Sequence, residues 1–130
     1  SPHPDDDIIS MGGTFQRLQD QGHDVHIAYQ TSGNIAVTDD EALRFAGFVC
    51  EYNEKFGIEN TEADNIYKKA IDFITNKKTS EVDIPEVRYI KGLIRVGEAK
   101  ATCRFVGNGE EKAHFQNLPF YETGKVQKNP

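Results

Sequence analysis

Residues 1–34, SPHPDDDIISMGGTFQRLQDQGHDVHIAYQTSGN, carry the reading that decides the fold. Ile8, Met11, Phe15 and Leu18 recur at the spacing of one helical face. Asp5, Asp6 and Asp7 stand just before it, where carboxylates accept from the free amides of a first turn and suit the positive end of the helix dipole. Gly12 and Gly13 weaken a helix, so we expect them to allow close packing on a neighbouring strand. Gly22 is the expected stop. Residues 23–29 then alternate, with Val25, Ile27 and Tyr29 on one side as in a strand, and Thr31-Ser32-Gly33-Asn34 is a turn cluster. Helix, strand and loop in this order open an α/β domain.

The rest of the chain continues the pattern. Thr38-Asp39-Asp40-Glu41 is a capping box, followed by an apolar face of Ala42, Phe45, Ala46, Val49, Tyr52 and Phe56 that Gly57 closes. A second helical stretch starts near Thr61, with Ala63, Ile66, Tyr67, Ala70 and Ile74 on one face. Residues 77–85 are polar and end in proline, as a connection does. Val87, Ile90, Ile94, Gly97, Ala101 and Phe105 predict another helical stripe, stopped by Gly107, and residues 114–118 predict a short strand. In open parallel sheets, ligands gather where strand C-terminal ends meet the loops that follow, and residues 1–7 and 31–34 occupy such positions. The strand that would lead into residues 1–7 is expected upstream of Ser1. The polar tail 124–130 reads as leading onward, so we expect the 130-residue chain to be an excerpt of a longer polypeptide.

Composition narrows the function classes. At 130 residues the length suits one domain. Twenty-one acidic residues against 15 basic give a net charge of −6, which leaves no general footprint for a nucleic-acid backbone. No apolar run approaches the roughly 20 residues that span a bilayer, and no signal pattern opens the chain, so a cytoplasmic location is expected. Cys50 and Cys103 are too few for a disulfide scaffold and read as buried free thiols. The pairs Lys68, Lys69 and Lys77, Lys78 read as solvated helix surface.

His3-Pro4-Asp5-Asp6-Asp7 packs an imidazole and three carboxylates into five positions. Such donors suit zinc or another divalent metal, with a spare carboxylate to take a proton from water. An acidic helix cap with an incidental histidine is the competing reading, and spacing alone weighs the two evenly. Arg95 has the guanidinium fork for an anionic or polyhydroxyl group, or pairs within its helix with Glu98. Ser32 and Asn34 are candidates for sugar hydroxyls, or are simple turn residues. His23, His26 and His114 read as surface or packing histidines.

Together, three stretches resemble a known family. His3-Pro4-Asp5-Asp6-Asp7 entering a helix, the Thr31-Ser32-Gly33 loop after a strand, and Arg95-x-x-Glu98-Ala99 in a helix resemble the PIG-L/LmbE family of zinc-dependent N-deacetylases. That resemblance implies a Rossmann-like three-layer parallel sheet, only partly covered by residues 1–130 as a partial deacetylase domain. It implies His3 and Asp6 as metal ligands and Asp5 as general base, while Asp7 stands where the family carries Glu. The family's third ligand, a downstream histidine, is expected beyond the chain, so these residues alone are expected to hold Zn²⁺ weakly or not at all. The implied activity is hydrolysis of an N-acetyl group from a small-molecule amino sugar such as an N-acetylglucosamine derivative, with neither nucleic acid nor membrane as partner. More narrowly, residues 2–34 look like the deacetylase-like domain fused in some bacterial proteins to a glucosamine-6-phosphate deaminase/isomerase domain. Two alternatives therefore stay open: deaminase chemistry in a fused domain, and a non-catalytic sugar-binding module. Homo-oligomerisation is also left open.

Overall fold

In the computed structural model, which describes residues 1–120 and 122–125, the order of elements is α1 (Asp6–Asp20), β1 (Ile27–Tyr29), α2 (Asp39–Lys55), α3 (Thr61–Asn76), α4 (Pro85–Phe105) and β2 (Ala113–Phe115). Short 3-10 turns lie at Asn34–Ala36 and Glu110–Lys112. The end of the tail read from the sequence, residues 126–130, lies outside the described residues. The chain divides into two compact units, the first comprising Ser1–Gly33 and Arg95–Pro130, the second Asn34–Ile94.

In the first unit β1 and β2 pair in parallel, with Ile27 beside Ala113, Ala28 beside His114 and Tyr29 beside Phe115. Phe15 of α1, Ile27 and Tyr29 of β1, Ala99 and Cys103 of α4, and Val106 form the core of this unit. Tyr29 is fully buried and its ring stacks on Phe115 at 5.1 Å. On the other edge of β1 the Ser1 nitrogen donates to the Ala28 carbonyl, and the Gln30 amide donates to the Ser1 carbonyl. This is the bonding pattern of a parallel neighbour, carried by the first residue alone. Beside that edge α1 and β1 line an open groove of about 410 Å³ whose walls include Met11, Phe15, Leu18, Val25 and Ile27.

Helix boundaries follow their capping signals. Thr38 Oγ1 accepts from the Glu41 amide at 3.2 Å, and Asn60 Oδ1 accepts from the Ala63 amide at 3.0 Å. Gly22 turns left-handed at φ 80° after α1, so that the His23 amide reaches the Leu18 carbonyl and the Gly22 amide the Gln19 carbonyl. Gly57 and Gly107 close α2 and α4 in the same way. Pro85 starts α4 at the first helical position, where its missing N–H costs no hydrogen bond.

Several expectations are corrected. Asp5 precedes α1 but its side chain caps nothing; its carbonyl accepts from the Ile8 and Ile9 amides instead. Gly12 and Gly13 meet no strand: a Cβ on Gly12 would touch only Ile8 of its own helix, and one on Gly13 nothing within 4 Å. The strand is shorter than the alternation in 23–29 predicts, because the pairing with β2 covers Ile27–Tyr29 alone. On α2 only Ala42 and Ala46 are buried, while Phe45, Val49, Tyr52 and Phe56 are exposed. On α4 the buried face is Val87, Lys91, Ile94, Arg95, Ala99 and Cys103, whereas Phe105 of the predicted stripe is 88% exposed. Two cations displace that face from the apolar one, because each is buried against carboxylates.

Lys91 shows how. In the second unit its ammonium lies 2.6 Å from Asp39 Oδ1 and 2.7 Å from Asp83 Oδ2. Lys77 meets the same two residues at 3.1 and 2.7 Å, so it is not the solvated surface lysine its sequence context predicts. Two lysines and two aspartates thereby join the start of α2, the connection before α4, and α4 itself. Elsewhere in this unit α2 packs on α3, with Gly47 against the ring of Tyr67. Cys50 and Cys103 are both free thiols, with Cys103 buried and Cys50 only partly so. Among the described residues no helix is long and apolar enough to cross a membrane.

Candidate functional site

The His3–Asp6 turn is built from its own backbone. The Asp5 and Asp6 amides both donate to the His3 carbonyl, at 2.9 and 3.3 Å, folding the chain back just before α1. Asp6 Oδ2 accepts from the His3 amide at 3.0 Å and lies 3.1 Å from His3 Nδ1. One carboxylate oxygen thus fixes both the backbone and the ring of His3. Asp6 and Asp7 occupy the first turn of α1, where the helix dipole favours negative charge.

Asp5 stands at φ 153°, ψ −26°, a region that costs a non-glycine residue on the order of 1–3 kcal/mol and persists only where its surroundings impose it. Its carboxylate is 42% exposed, and Oδ2 lies 2.8 Å from Arg95 Nη2. The same guanidinium nitrogen donates to the Pro4 carbonyl, and Nη1 lies 2.8 Å from Glu98 Oε2. Pro4 is fully buried, so His3, Pro4, Asp5 and Asp6 form one supported turn with Arg95 behind it.

The loop after β1 closes on this turn. Thr31 donates to the Pro2 carbonyl through its amide at 3.0 Å and its hydroxyl at 2.8 Å. Gly33 follows at φ 67°, and a Cβ there would lie 3.1 Å from Pro4 Cδ, 3.3 Å from Arg95 Nε and 3.7 Å from His3 Cβ. Only glycine combines this left-handed backbone with so close an approach. Gly33→Ala is expected to cost about 1–2 kcal/mol from backbone handedness alone, with the contact to Pro4 adding to it. Denaturant unfolding checks this; an unchanged midpoint would show that the loop does not press on the turn.

Of the residues singled out from the sequence, His3, Asp5, Asp6 and Arg95 are brought together. The predicted Arg95–Glu98 pair is present as well. Ser32 stands in the loop next to Gly33. Asn34 begins the 3-10 turn of the second unit and is 4% exposed, so little of it faces solvent. His26, just before β1, and His114 of β2 stand with Nδ1 and Nε2 2.8 Å apart, exposed and outside the turn. Sequence reasoning missed Tyr29, whose hydroxyl donates to Asp7 Oδ2 at 2.9 Å and ties the start of α1 to β1. A tyrosine on the buried side of a strand is the available signal, since its hydroxyl needs a partner. Burial, with the Asp7 hydrogen bond, pushes the Tyr29 hydroxyl well above its ordinary pKa.

Imidazole nitrogen and carboxylate oxygen are donor types that zinc takes. Tetrahedral zinc with nitrogen and oxygen ligands at about 2.0–2.2 Å holds them about 3.3 Å apart. His3 Nδ1 and Asp6 Oδ2, both partly exposed, lie 3.1 Å apart at hydrogen-bond distance, somewhat closer than that separation. No group of three His, Cys, Asp or Glu side chains placed to hold a metal ion occurs among the described residues.

Comparison with known proteins assigns the family. A protein of Bacteroides thetaiotaomicron named glucosamine-6-phosphate deaminase-like is 49% identical over 131 residues, which cover the whole of this chain and 20% of that protein. The diacetylchitobiose deacetylase of Thermococcus kodakarensis is 48% identical over 40 residues, 31% of this chain and 15% of the relative. The matched stretches thus span about one fifth or less of the length of these relatives. No solved structure matches it significantly. The family described as PIG-L, GlcNAc-PI de-N-acetylase, matches residues 1–129. With its His-Pro-Asp-Asp turn, its Thr-x-Gly loop and a family match along almost its whole length, the chain belongs to the PIG-L family.

Proposed function

We propose that the protein containing this chain hydrolyses the N-acetyl group of an amino sugar, with zinc held by His3 and Asp6 and with Asp5 as general base. The observation that carries the reading is the juxtaposition of His3 Nδ1 and Asp6 Oδ2 at 3.1 Å with a partly exposed Asp5 carboxylate in the same turn. Membership of a family described by a de-N-acetylase supports the reaction, and similarity to a diacetylchitobiose deacetylase supports an amino-sugar substrate. When bound, zinc supplies a Lewis acid for the acetyl carbonyl and acidifies water. The chain's own part is to hold and orient. Asp6 fixes the His3 backbone by accepting from its amide, Arg95 fixes one oxygen of Asp5, and Asp5 accepts the proton of the attacking water and passes it to the departing amine. A zinc site also requires donors beyond His3 and Asp6, and we assign these to parts of the protein outside this chain.

We further propose that the complete domain is a three-layer Rossmann-like sheet. The parallel bonding of Ser1 on the open edge of β1, beside a largely apolar groove, supports a sheet that extends past β1.

A second reading draws on the name of the Bacteroides relative, of which this chain covers one fifth. Under it, deamination of an amino-sugar phosphate takes place elsewhere in the protein, and the turn described here serves a separate step or binds sugar without catalysis.

Metal analysis after dialysis tests the ligand assignment. The full-length protein is expected to retain one zinc per chain, and His3→Ala to lose at least nine tenths of it. A zinc content that His3→Ala leaves unchanged would remove His3 from the site.

A further inference from the structure

We infer that Tyr29, through its hydrogen bond to Asp7, is a positioning residue that holds the downstream end of the His3–Asp6 turn, and that Asp7 serves this tyrosine and is not a metal ligand. The kinetic part of the inference rests on the deacetylase reading; the structural part stands without it.

The turn is short, and β1 with the two residues after it holds the chain on both sides. Upstream, Ser1 bonds to Ala28 and Gln30, and Thr31 donates to the Pro2 carbonyl through its amide and its hydroxyl. These bonds place residues 1 and 2. Downstream, the Tyr29 hydroxyl donates to Asp7 Oδ2 at 2.9 Å. Residues 3–6 therefore run between two anchors on one strand, the second made by a single side-chain hydrogen bond. Because α1 begins at Asp6, fixing Asp7 fixes the rotation of its first turn, and with it the direction in which Asp6 leaves the helix.

Burial explains why that bond exists. Tyr29 is 0% exposed, and its ring stacks on Phe115 inside the core of the unit. A phenylalanine fills such a position as well, so packing does not call for the hydroxyl. Once buried, the hydroxyl is costly to leave without a partner. Asp7, half-buried in the first turn of α1, is that partner, and its carboxylate makes the bond charge-assisted. The neighbouring carboxylate is committed differently, since Asp6 Oδ2 meets His3. Among the described residues Asp7 completes no three-residue metal group with His3 and Asp6.

The test uses full-length protein carrying Tyr29→Phe, Asp7→Ala, Asp7→Asn, or Tyr29→Phe with Asp7→Ala. Three readouts are compared: amide hydrogen exchange at residues 5–9 with the last turn of α1 as reference, zinc content after dialysis, and steady-state acetate release from an N-acetylated amino sugar. Tyr29→Phe and Asp7→Ala are each expected to accelerate exchange of the Asp5, Asp6, Ile8 and Ile9 amides at least threefold, with the reference unchanged. Zinc should stay within a few tenths of an equivalent of wild type in all four. A misplacement on the order of 1 Å can cost about 10²-fold in rate, and one anchor of two remains, so kcat should fall about tenfold in each single variant with KM within threefold. The double variant should lose no more than either single one, because both remove the same bond. Asp7→Asn, whose amide oxygen still accepts from Tyr29, should recover most of the loss of Asp7→Ala. Unchanged exchange or unchanged kcat in Tyr29→Phe, losses that multiply in the double variant, or a KM raised tenfold at preserved kcat would each overturn the inference. Zinc lost from Asp7→Asn would make Asp7 a ligand and overturn it too. Should Asp7→Ala not fold, Tyr29→Phe, which keeps the ring on Phe115, and Asp7→Asn carry the comparison. If wild-type protein releases no acetate, the deacetylase reading fails by itself, and hydrogen exchange still decides whether Tyr29 holds the turn.

Discussion

Replacing Asp5 by Asn in the full-length protein is expected to lower kcat for acetate release by about 10²–10⁴-fold, the usual contribution of a positioned general base. The substitution is close to isosteric. An amide oxygen can still accept from Arg95 Nη2, which lies 2.8 Å from the native carboxylate, and asparagine tolerates positive φ better than most residues. Fold and turn are therefore expected to survive, and zinc content should stay within a few tenths of an equivalent of wild type. What disappears is the proton acceptor. Retained metal with lost turnover separates a base from a ligand, since a ligand substitution would lose both. Activity within threefold of wild type would exclude Asp5 as the base.

The second large effect lies away from the site. Lys91→Met is expected to destabilise the second unit by about 3 kcal/mol, the lower end of what breaking a buried ion pair costs. The Lys91 side chain is 5% exposed and touches both Asp39 and Asp83. Its removal leaves two carboxylates to share Lys77 alone, which keeps the loss from being larger. The cluster also sets a pH window. Burial works against ionisation of Asp39, but hydrogen bonds from Lys91 and Lys77 outweigh it and bring its pKa below the ordinary 3.8. Burial likewise opposes the charge on Lys77, and hydrogen bonds to Asp83 and Asp39 overcome it, raising the pKa above 10.5. The Asp39 contribution is complete above pH 3.8 and is lost as pH falls through the lower folded value. The Lys77 contribution is complete below pH 10.5 and is lost as pH rises through the higher folded value. Urea unfolding across pH should therefore show a plateau that falls off on both sides in wild type. Lys91→Met should show a lower plateau and an acid limb shifted to higher pH. A midpoint unchanged by Lys91→Met would show that the cluster contributes nothing net.

Legibility in the sequence tracked the kind of interaction. Helix starts and stops were readable at Thr38, Gly22, Gly57 and Gly107, because capping depends on residues a few positions apart. The buried face of α4 was not. Apolar periodicity selected Gly97, Ala101 and Phe105, while the structure buries Lys91 and Arg95 against carboxylates far away in sequence. A periodicity rule has no term for a cation whose partner lies 52 or 90 positions back. The site divides in the same way. His3, Asp5 and Asp6 were visible because their chemistry is written in adjacent residues. The support from Arg95, Gly33 and Tyr29 depends on how α4 and β1 meet the turn, which only the folded chain displays.

The central claim is that this turn serves removal of an acetyl group, and the most direct measurement is the identity of the small product. Full-length protein should be incubated with N-acetylglucosamine, its 6-phosphate and diacetylchitobiose, and acetate and ammonia quantified in the same samples. The account predicts acetate in one-to-one ratio with newly freed amine from at least one of these substrates, lost in Asp5→Asn. Ammonia release without acetate, unaffected by Asp5→Asn, would contradict it.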